Sequence, residues 1–301
     1  MILYSSALSY GRNLKGAEFM RGVRRVIRGA IRRFKSPLKK IQSFDERLTA
    51  IHGYLLYNEF GQRQLRTQLL TLRNSAGYHS IFEEDNPLIT VTIPTHTSPA
   101  SLWEVTLPSI QNQSHTNLEI LICINPININ AWETALRHLE EIDDPRIRMV
   151  QCLGPTPKQQ DWIPAWHNSG TLETNCGLEH ATGSWISVFS HDDFLIPTAL
   201  ESLLKKCRFE KLEFCYGDFS RIIGTQAEVV CSNPPMLTKF NFQGSLMHSG
   251  INFFQFSPTD AILGMPNDWG SLLRMISTGV KIGHFHEVTA NYFPSNSRQN
   301  D

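Results

Sequence analysis

In the stretch GSWISVFSHDDFLIPTALESLL, residues 183–204, an apolar strand runs out into a turn that carries two adjacent carboxylates, Asp192 and Asp193. The run Trp185–Phe189 is β-branched and aromatic, the pattern of an interior strand of a parallel sheet. Helix signals follow at once: Pro197 suits a first-turn position, and Ala199, Leu200, Leu203 and Leu204 recur at helical spacing. In open α/β sheets ligands collect beyond the carboxyl ends of the strands, so the two acids are the first candidates for function. An acidic pair alone is more often solvated or capping, so its context has to carry the argument.

That context is NPLITVTIPTHTSPASLWEVTLPSIQNQSHTNLEILICIN, residues 86–125. Leu88–Ile93 reads as a strand stopped by Pro94. Ser98 and Pro99 give an N-cap and first residue for a helix through Ile110. Asn117 breaks the chain, and Ile120–Ile124 is a second all-apolar strand. The sum is a βαβ unit and an α/β fold.

With these pieces the chain resembles the family-2 glycosyltransferases. The resemblance rests on ITVTIPTHT, SIQNQSHTNLEILICI, DDPRIRMV (Asp143–Val150), NCGLEHATGSWISVFSHDD, YGDF (Tyr216–Phe219) and NDWGSLLRMISTGVKIGHFHEV (267–288), in that order over residue 87 to the C-terminus. It implies a GT-A type open, mostly parallel sheet flanked by helices, Rossmann-like, and transfer of a sugar from a nucleotide-diphosphate donor to a hydroxyl acceptor, a glycan or a lipid-linked one. It also implies a divalent cation, Mn2+ or Mg2+, because carboxylate-held metal neutralises a departing diphosphate.

Carried over by position, Asp193 is the metal ligand and Asp192 the ribose or second-layer contact. Pro94, Thr95 and His96, at the end of the first strand, are donor contacts. Asn175 and Gly177, with Ala181 and Gly183, match the helix before the acidic strand, whose small residues let backbone approach the donor. Inverting transfer needs a base to take the acceptor's proton. Asp268 matches the base, Trp269 is the aromatic residue that follows it, and Arg274 and Gly279 match downstream. As a bare sequence feature, Asp268 is equally a first-turn helix acid favoured by the macrodipole. Asp218 in YGDF, after a short strand Phe214–Tyr216, is open between a donor or acceptor contact and structural capping.

Several family positions differ. His191 stands where another acid is common. Thr174 replaces an Arg, leaving Lys158 or Arg221 as possible phosphate contacts, and Asn267 replaces a Glu. After the second strand the usual acid pair becomes Asn125–Pro126, so Asn125 must meet the nucleotide base through its amide. The C-terminal Tyr-Arg-x-His becomes Tyr292, Phe293, Pro294, Ser295. His284 and His286 are more often sheet-face residues than replacement ligands. These losses keep open a second reading, a catalytically weakened relative serving as a membrane- or complex-associated binding module. No Gly-x-Gly-x-x-Gly follows the first strand, which disfavours a dinucleotide-dependent dehydrogenase.

The composition bounds the rest. Residues 87–301 suffice for one catalytic domain that buries roughly 70% of its chain surface. The six cysteines show no ligand spacing and read as reduced core residues of a cytoplasmic protein. No apolar run approaches the ~20 residues of a membrane span. The net charge is zero, yet residues 11–40 hold eleven of the 28 bases and one of the 28 acids, leaving a balance of −10 elsewhere. Met20, Val23, Val26, Ile27, Ala30, Ile31 and Phe34 form an apolar stripe among arginines. A basic amphipathic arm over residues 1–45 is therefore expected, open between an anionic membrane surface contacted through 20–40, as a peripheral protein would, and packing on protein. Nucleic acid is not expected, since stacking aromatics are not interleaved with the bases. Residues 46–86 read as a helical stretch to residue 73 and a linker over Ser75–Pro87. Within the Pro- and Trp-rich insertion after Val150, Trp166 and His167 are acceptor candidates.

Overall fold

The computed structural model describes residues 44–46, 48–49, 52–53, 61–154, 170–235 and 239–294. The chain divides into two compact units, Met1–Leu56 and Tyr57–Asp301, and the sheet belongs to the second. The apolar stripe expected over residues 20–34 lies outside the described residues.

The second unit opens with helix α1 (residues 61–73) and α2 (Ala76–Ser80). Here the expected linker is corrected. Tyr78 and Phe82 are buried in the main core, and Arg73 on α1 reaches the buried Glu213 with two hydrogen bonds of 2.7 Å. The acids Glu83–Asp85 gave this stretch a linker's composition, but two aromatic anchors outweigh them.

The βαβ unit follows as β1 (Ile89–Thr95), a helical segment 100–111 ending in α3 (Leu107–Gln111), and β2 (Leu118–Ile124). Pro94 does not stop β1. Thr92 accepts from the Phe189 N–H on the side of strand β4 (Trp185–Val188), and β4 pairs with β1 only as far as Thr92. Two residues on, Pro94 faces the same side beyond the end of β4, where no N–H is needed. Ser98 does not cap the helix either. It takes φ +50°, and its hydroxyl accepts the Trp103 indole N–H at 3.0 Å. Leu102–Thr106 is π-helical. Pro108 in the next turn has no N–H for the preceding carbonyls, and the widened turn accommodates its ring.

The remaining elements are α4 (Ile129–Glu141), β3 (Ile147–Gln151), α5 (Thr171–His180), β5 (Phe194–Leu195), α6 (Ala199–Glu210), β6 (Phe214–Ile223), β7 (Gln226–Val230), β8 (Leu246–His248), α7 (Asn267–Thr278) and β9 (Ile282–Tyr292). The sheet runs β3-β2-β1-β4-β8-β6-β9-β5, with β7 beside β6. Strands β3, β2, β1 and β4 are parallel as expected. The other half is mixed, because β8 pairs antiparallel with both β4 and β6. β6 is far longer than Phe214–Tyr216, having partners along its whole length, and Asp218 falls at a register irregularity against β9.

Strand parity sorts the core into layers. Ile89, Val91 and Ile93 of β1 join Leu107, Ile110, Leu200, Leu203 and Leu204 on one face. On the other side, Ile186 and Val188 of β4 meet Leu272 and Met275 of α7. α5 packs so closely that a Cβ on Gly177 would stand 2.8 Å from Thr92 Cβ and 3.0 Å from Cys123 Sγ. All six cysteines are free and five are buried. No described helix is long and apolar enough to cross a membrane.

Candidate active site

The carboxyl ends of β1 and β4, the head of α7 and the far ends of β6 and β9 enclose a cavity of about 560 Å3, within the range of small-molecule sites. Six of the sequence candidates line it: Pro94, Thr95, His96, Asp193, Asp268 and Trp269.

The turn after β4 is tightly held. Asp193 is fully buried, its carboxylate accepting the Phe293 N–H at 3.0 Å and its carbonyl the Thr106 hydroxyl at 2.8 Å. Asp192 does not line the cavity; its carboxylate accepts the hydroxyl of Ser190, which does. The Ser190 N–H is held by the Gln243 side chain, and His191 Nδ1 lies 3.2 Å from the Pro94 carbonyl. The acidic turn is therefore stitched to the end of β1.

At that end, His96 pairs with the buried Glu173 of α5 at 3.3 Å. The hydrogen bond to Glu173 raises the imidazole's pKa against the opposing effect of burial. Asn128 donates to the His96 carbonyl at 2.8 Å, fixing the loop.

Across the cavity, Asn267 opens α7 and donates to Thr171 at 2.7 Å. The Asp268 carboxyl is raised to about 6, chiefly by loss of water, with the negative charge of Asp260 adding to it and the Trp269 N–H opposing it. An acid near neutrality in a cleft has the property a proton acceptor requires. On the third wall stand Arg221 and Tyr292, register partners across β6 and β9. Burial raises the Tyr292 phenol, and Asp193 and Asp192 raise it further while Arg221 opposes them. The acidic turn, the base candidate and this cation are thus electrostatically close.

Four further candidates are not among the residues lining the cavity, and each has a contact within the fold. Gly177 faces the sheet rather than the cavity, so its small size serves packing of α5 on β1 and β2. Asn175 clamps the Phe256 backbone with two 2.8 Å hydrogen bonds and so shapes the wall that Phe256 lines. Asn125 is buried and turns the loop after β2 by accepting the Ile127 N–H. Asp218 is bound to His284 Nε2 at 2.6 Å within the sheet. Trp166 and His167 lie outside the described residues. Sequence reasoning missed Gln243 and Glu173, and placed Tyr292 in the altered C-terminal motif without a role. Arg221 was legible only as one of two cations, with Lys158, that could replace the contact absent at Thr174. No single local motif gathers these residues: parallel pairing of β6 with β9 brings Arg221 and Tyr292 together, Gln243 comes from a loop and Glu173 from α5.

Among the described residues no group of three or more His, Cys, Asp or Glu side chains is gathered to hold a metal ion. A protein-only cage is therefore not present there. Asp192 and Asp193 are hard oxygen donors, however, and cations of the Mg2+ kind use one or two carboxylates, with phosphate and water completing the shell. The donor set fits that shared mode.

No protein-family model matches the chain. It is 23% identical over 217 residues to the UDP-Glc:alpha-D-GlcNAc-diphosphoundecaprenol beta-1,3-glucosyltransferase WfaP of Escherichia coli, covering 68% of this chain and 76% of that one. The structure of S. aureus TarS residues 1–349 in complex with UDP superposes with a TM-score of 0.50 and 13% identity, over 69% of this chain. The match spans 60% of that TarS chain's length. The fold is the GT-A type. These likenesses support a GT-A-type glycosyltransferase and do not single out family 2.

Proposed function

We propose that this chain transfers a sugar from a nucleotide-diphosphate donor to a hydroxyl of a glycan or lipid-linked acceptor, with inversion, and that Asp268 is the base. The observation that carries this reading is the shared cavity: Asp193, at the sheet's carboxyl edge, and Asp268, raised to about 6, line the same 560 Å3 space. WfaP is named for a UDP-glucose donor and a diphosphoundecaprenol-linked acceptor, so a UDP-sugar and a polyprenyl-diphosphate acceptor are the first pair to try.

The roles follow from position. Pro94, Thr95 and His96 border the donor's place beyond β1. Asp193, with Asp192 behind it, would hold a divalent cation, Mn2+ or Mg2+, whose contribution is to neutralise the departing diphosphate. Asp268 accepts the proton of the attacking hydroxyl, and Trp269 offers an aromatic face to the acceptor's sugar ring. A wall that excludes water strengthens these charge interactions. The basic arm, residues 1–45, serves as a peripheral contact to anionic lipid, beside which a lipid-linked acceptor would be presented.

Calorimetric titration of UDP- and GDP-sugars, with and without Mn2+ or Mg2+, on the wild type and Asp193→Asn tests the donor half. One donor binding in a metal-dependent way, with binding lost in the variant, is the expected result. Absence of any nucleotide-sugar binding would overturn the reading. Loss of turnover in Asp268→Asn with donor binding intact tests the acceptor half.

A further inference from the structure

Asp260 is a fully buried acid outside the cavity lining. It sits in the 3-10 turn Asp260–Leu263, just before α7. Arg274, on the helix, donates to its carboxylate at 2.6 Å and, through the other guanidinium nitrogen, to the Gln255 carbonyl at 2.7 Å. Gly270 lies one helical turn before Arg274 on the same face, and a Cβ there would stand 2.0 Å from Asp260 Cγ. The carboxyl group is therefore pressed flat on the helix backbone two residues beyond Asp268. Ser271 adds a 2.8 Å bond to the Phe254 carbonyl, so the first turns of α7 are anchored behind the cavity wall.

A buried ion pair is seldom a stability device, since apolar filling of the same volume does as well. The charge needs another reason, and the reason lies at the head of the helix. Helix N-termini and their free N–H groups favour a carboxylate's charged, weakly basic form. Asp268 occupies that place and accepts the Trp269 N–H at 2.9 Å. A fixed negative charge behind the first turn offsets this effect.

We infer that Asp260 is a positioning residue for Asp268: clamped by Arg274 against Gly270, its carboxylate fixes the first turn of α7 at the cavity wall and holds a negative charge behind the base. The inference rests on the proposed role of Asp268 and deepens it. The direction of the Asp268 shift agrees, burial raising it most and Asp260 adding to it. The other ionisable groups sharing the cavity with Asp268 are His96, His191, Asp193, Arg221 and Tyr292; Asp260 and its partner Arg274 stand behind the helix.

The test follows the carboxyl carbon of Asp268 by 13C NMR in the full chain labelled at aspartate, the signal being assigned by its loss in Asp268→Asn. The wild-type midpoint is expected near 6. In Asp260→Asn it should fall, with kcat reduced and KM little changed, whereas Arg274→Lys should keep it. An unmoved midpoint in a folded Asp260→Asn overturns the inference and leaves a plain structural staple. If Asp260→Asn does not fold, Arg274→Gln tests the same claim with opposite sign, since it unscreens Asp260: a raised midpoint supports the inference, and an unchanged or lowered one ends it. The base reading fails separately, if Asp268→Asn still releases UDP from UDP-glucose in the presence of a synthetic GlcNAc-diphospholipid at the wild-type rate.

Discussion

The buried carboxylate of Asp193 accepts the backbone N–H of Phe293 at 3.0 Å, joining the acidic turn to the end of β9 across a hundred residues. Where relatives of the resembled family offer side chains after the last strand, this chain offers a main-chain donor. Asp193 therefore has two duties, and two substitutions separate them. Asp193→Asn keeps the shape and an acceptor oxygen, so it should fold like the wild type but lose cation-dependent donor binding. Asp193→Ala also removes the carboxylate acceptor of a part-buried N–H, which costs about 1–3 kcal/mol. Melting curves and donor titrations on both variants check this; equal melting temperatures for the two would remove the structural duty.

Asp268 should give activity an acid limb. Its carboxyl titrates near 6, so the rate is expected to climb as pH rises through 6 and to level off above it. Asp268→Asn should lower kcat by about 10²–10⁴-fold and remove the limb. Stability runs the other way. The native state holds its proton above the ordinary value of 3.8, so between about 3.8 and 6 it binds more protons than the unfolded chain, and this group's contribution falls as pH rises through that window. The Asn variant should consequently gain stability relative to the wild type between pH 4 and pH 7. Paired thermal melts at those two values measure it.

Much of the scaffold was legible in the sequence because it is local. Apolar runs, unbroken over Ile120–Ile124 of β2 and interrupted by threonines in β1 and by Ser187 in β4, gave these strands, and the acid pair after β4 marked the cavity edge. What was not legible depends on distant pairing. Phe194–Leu195 is a strand only because Asn291 and Ala290 lie beside it. Tyr292 and Gln243 reach the site through β9 and a loop. The small residues of α5 were legible as a demand for close approach, and the surface that Gly177 approaches in the fold is Thr92 and Cys123. Periodicity reports that a backbone must come near something and leaves unsaid what that is.

Gly177→Ala tests that last assignment. The new methyl would meet Thr92 Cβ at 2.8 Å and Cys123 Sγ at 3.0 Å, both from the sheet. Overpacking of this kind costs about 1–3 kcal/mol, read as a lower urea midpoint with unchanged slope. Pairing it with Thr92→Ser, which removes one of the crowding methyls, should recover part of the loss. If Gly177→Ala instead weakens donor binding without loss of stability, the residue belongs to the donor site.

The clip between α1 and the catalytic unit predicts a stability effect far from the cavity. Glu213 is fully buried and accepts two hydrogen bonds from Arg73, one from Tyr78 at 2.8 Å and one from the Lys281 N–H at 2.8 Å. Burial raises its pKa, but Arg73, the Lys281 N–H and Tyr78 together outweigh it and hold the carboxyl below its ordinary value. Its contribution is thus present above the unfolded value of about 4.5 and is lost as pH falls through the lower folded value. Arg73→Ala leaves a buried carboxylate without its cation and should cost about 3–5 kcal/mol at neutral pH. The deficit should shrink in acid, where Glu213 can protonate. Asp268 lies outside this network, so donor binding at temperatures well below the melt should be unchanged. Urea unfolding of the wild type and Arg73→Ala at pH 7 and pH 4 measures the difference, and a deficit that does not narrow at the lower pH would mean that Arg73 acts through packing of its stem and not through its charge.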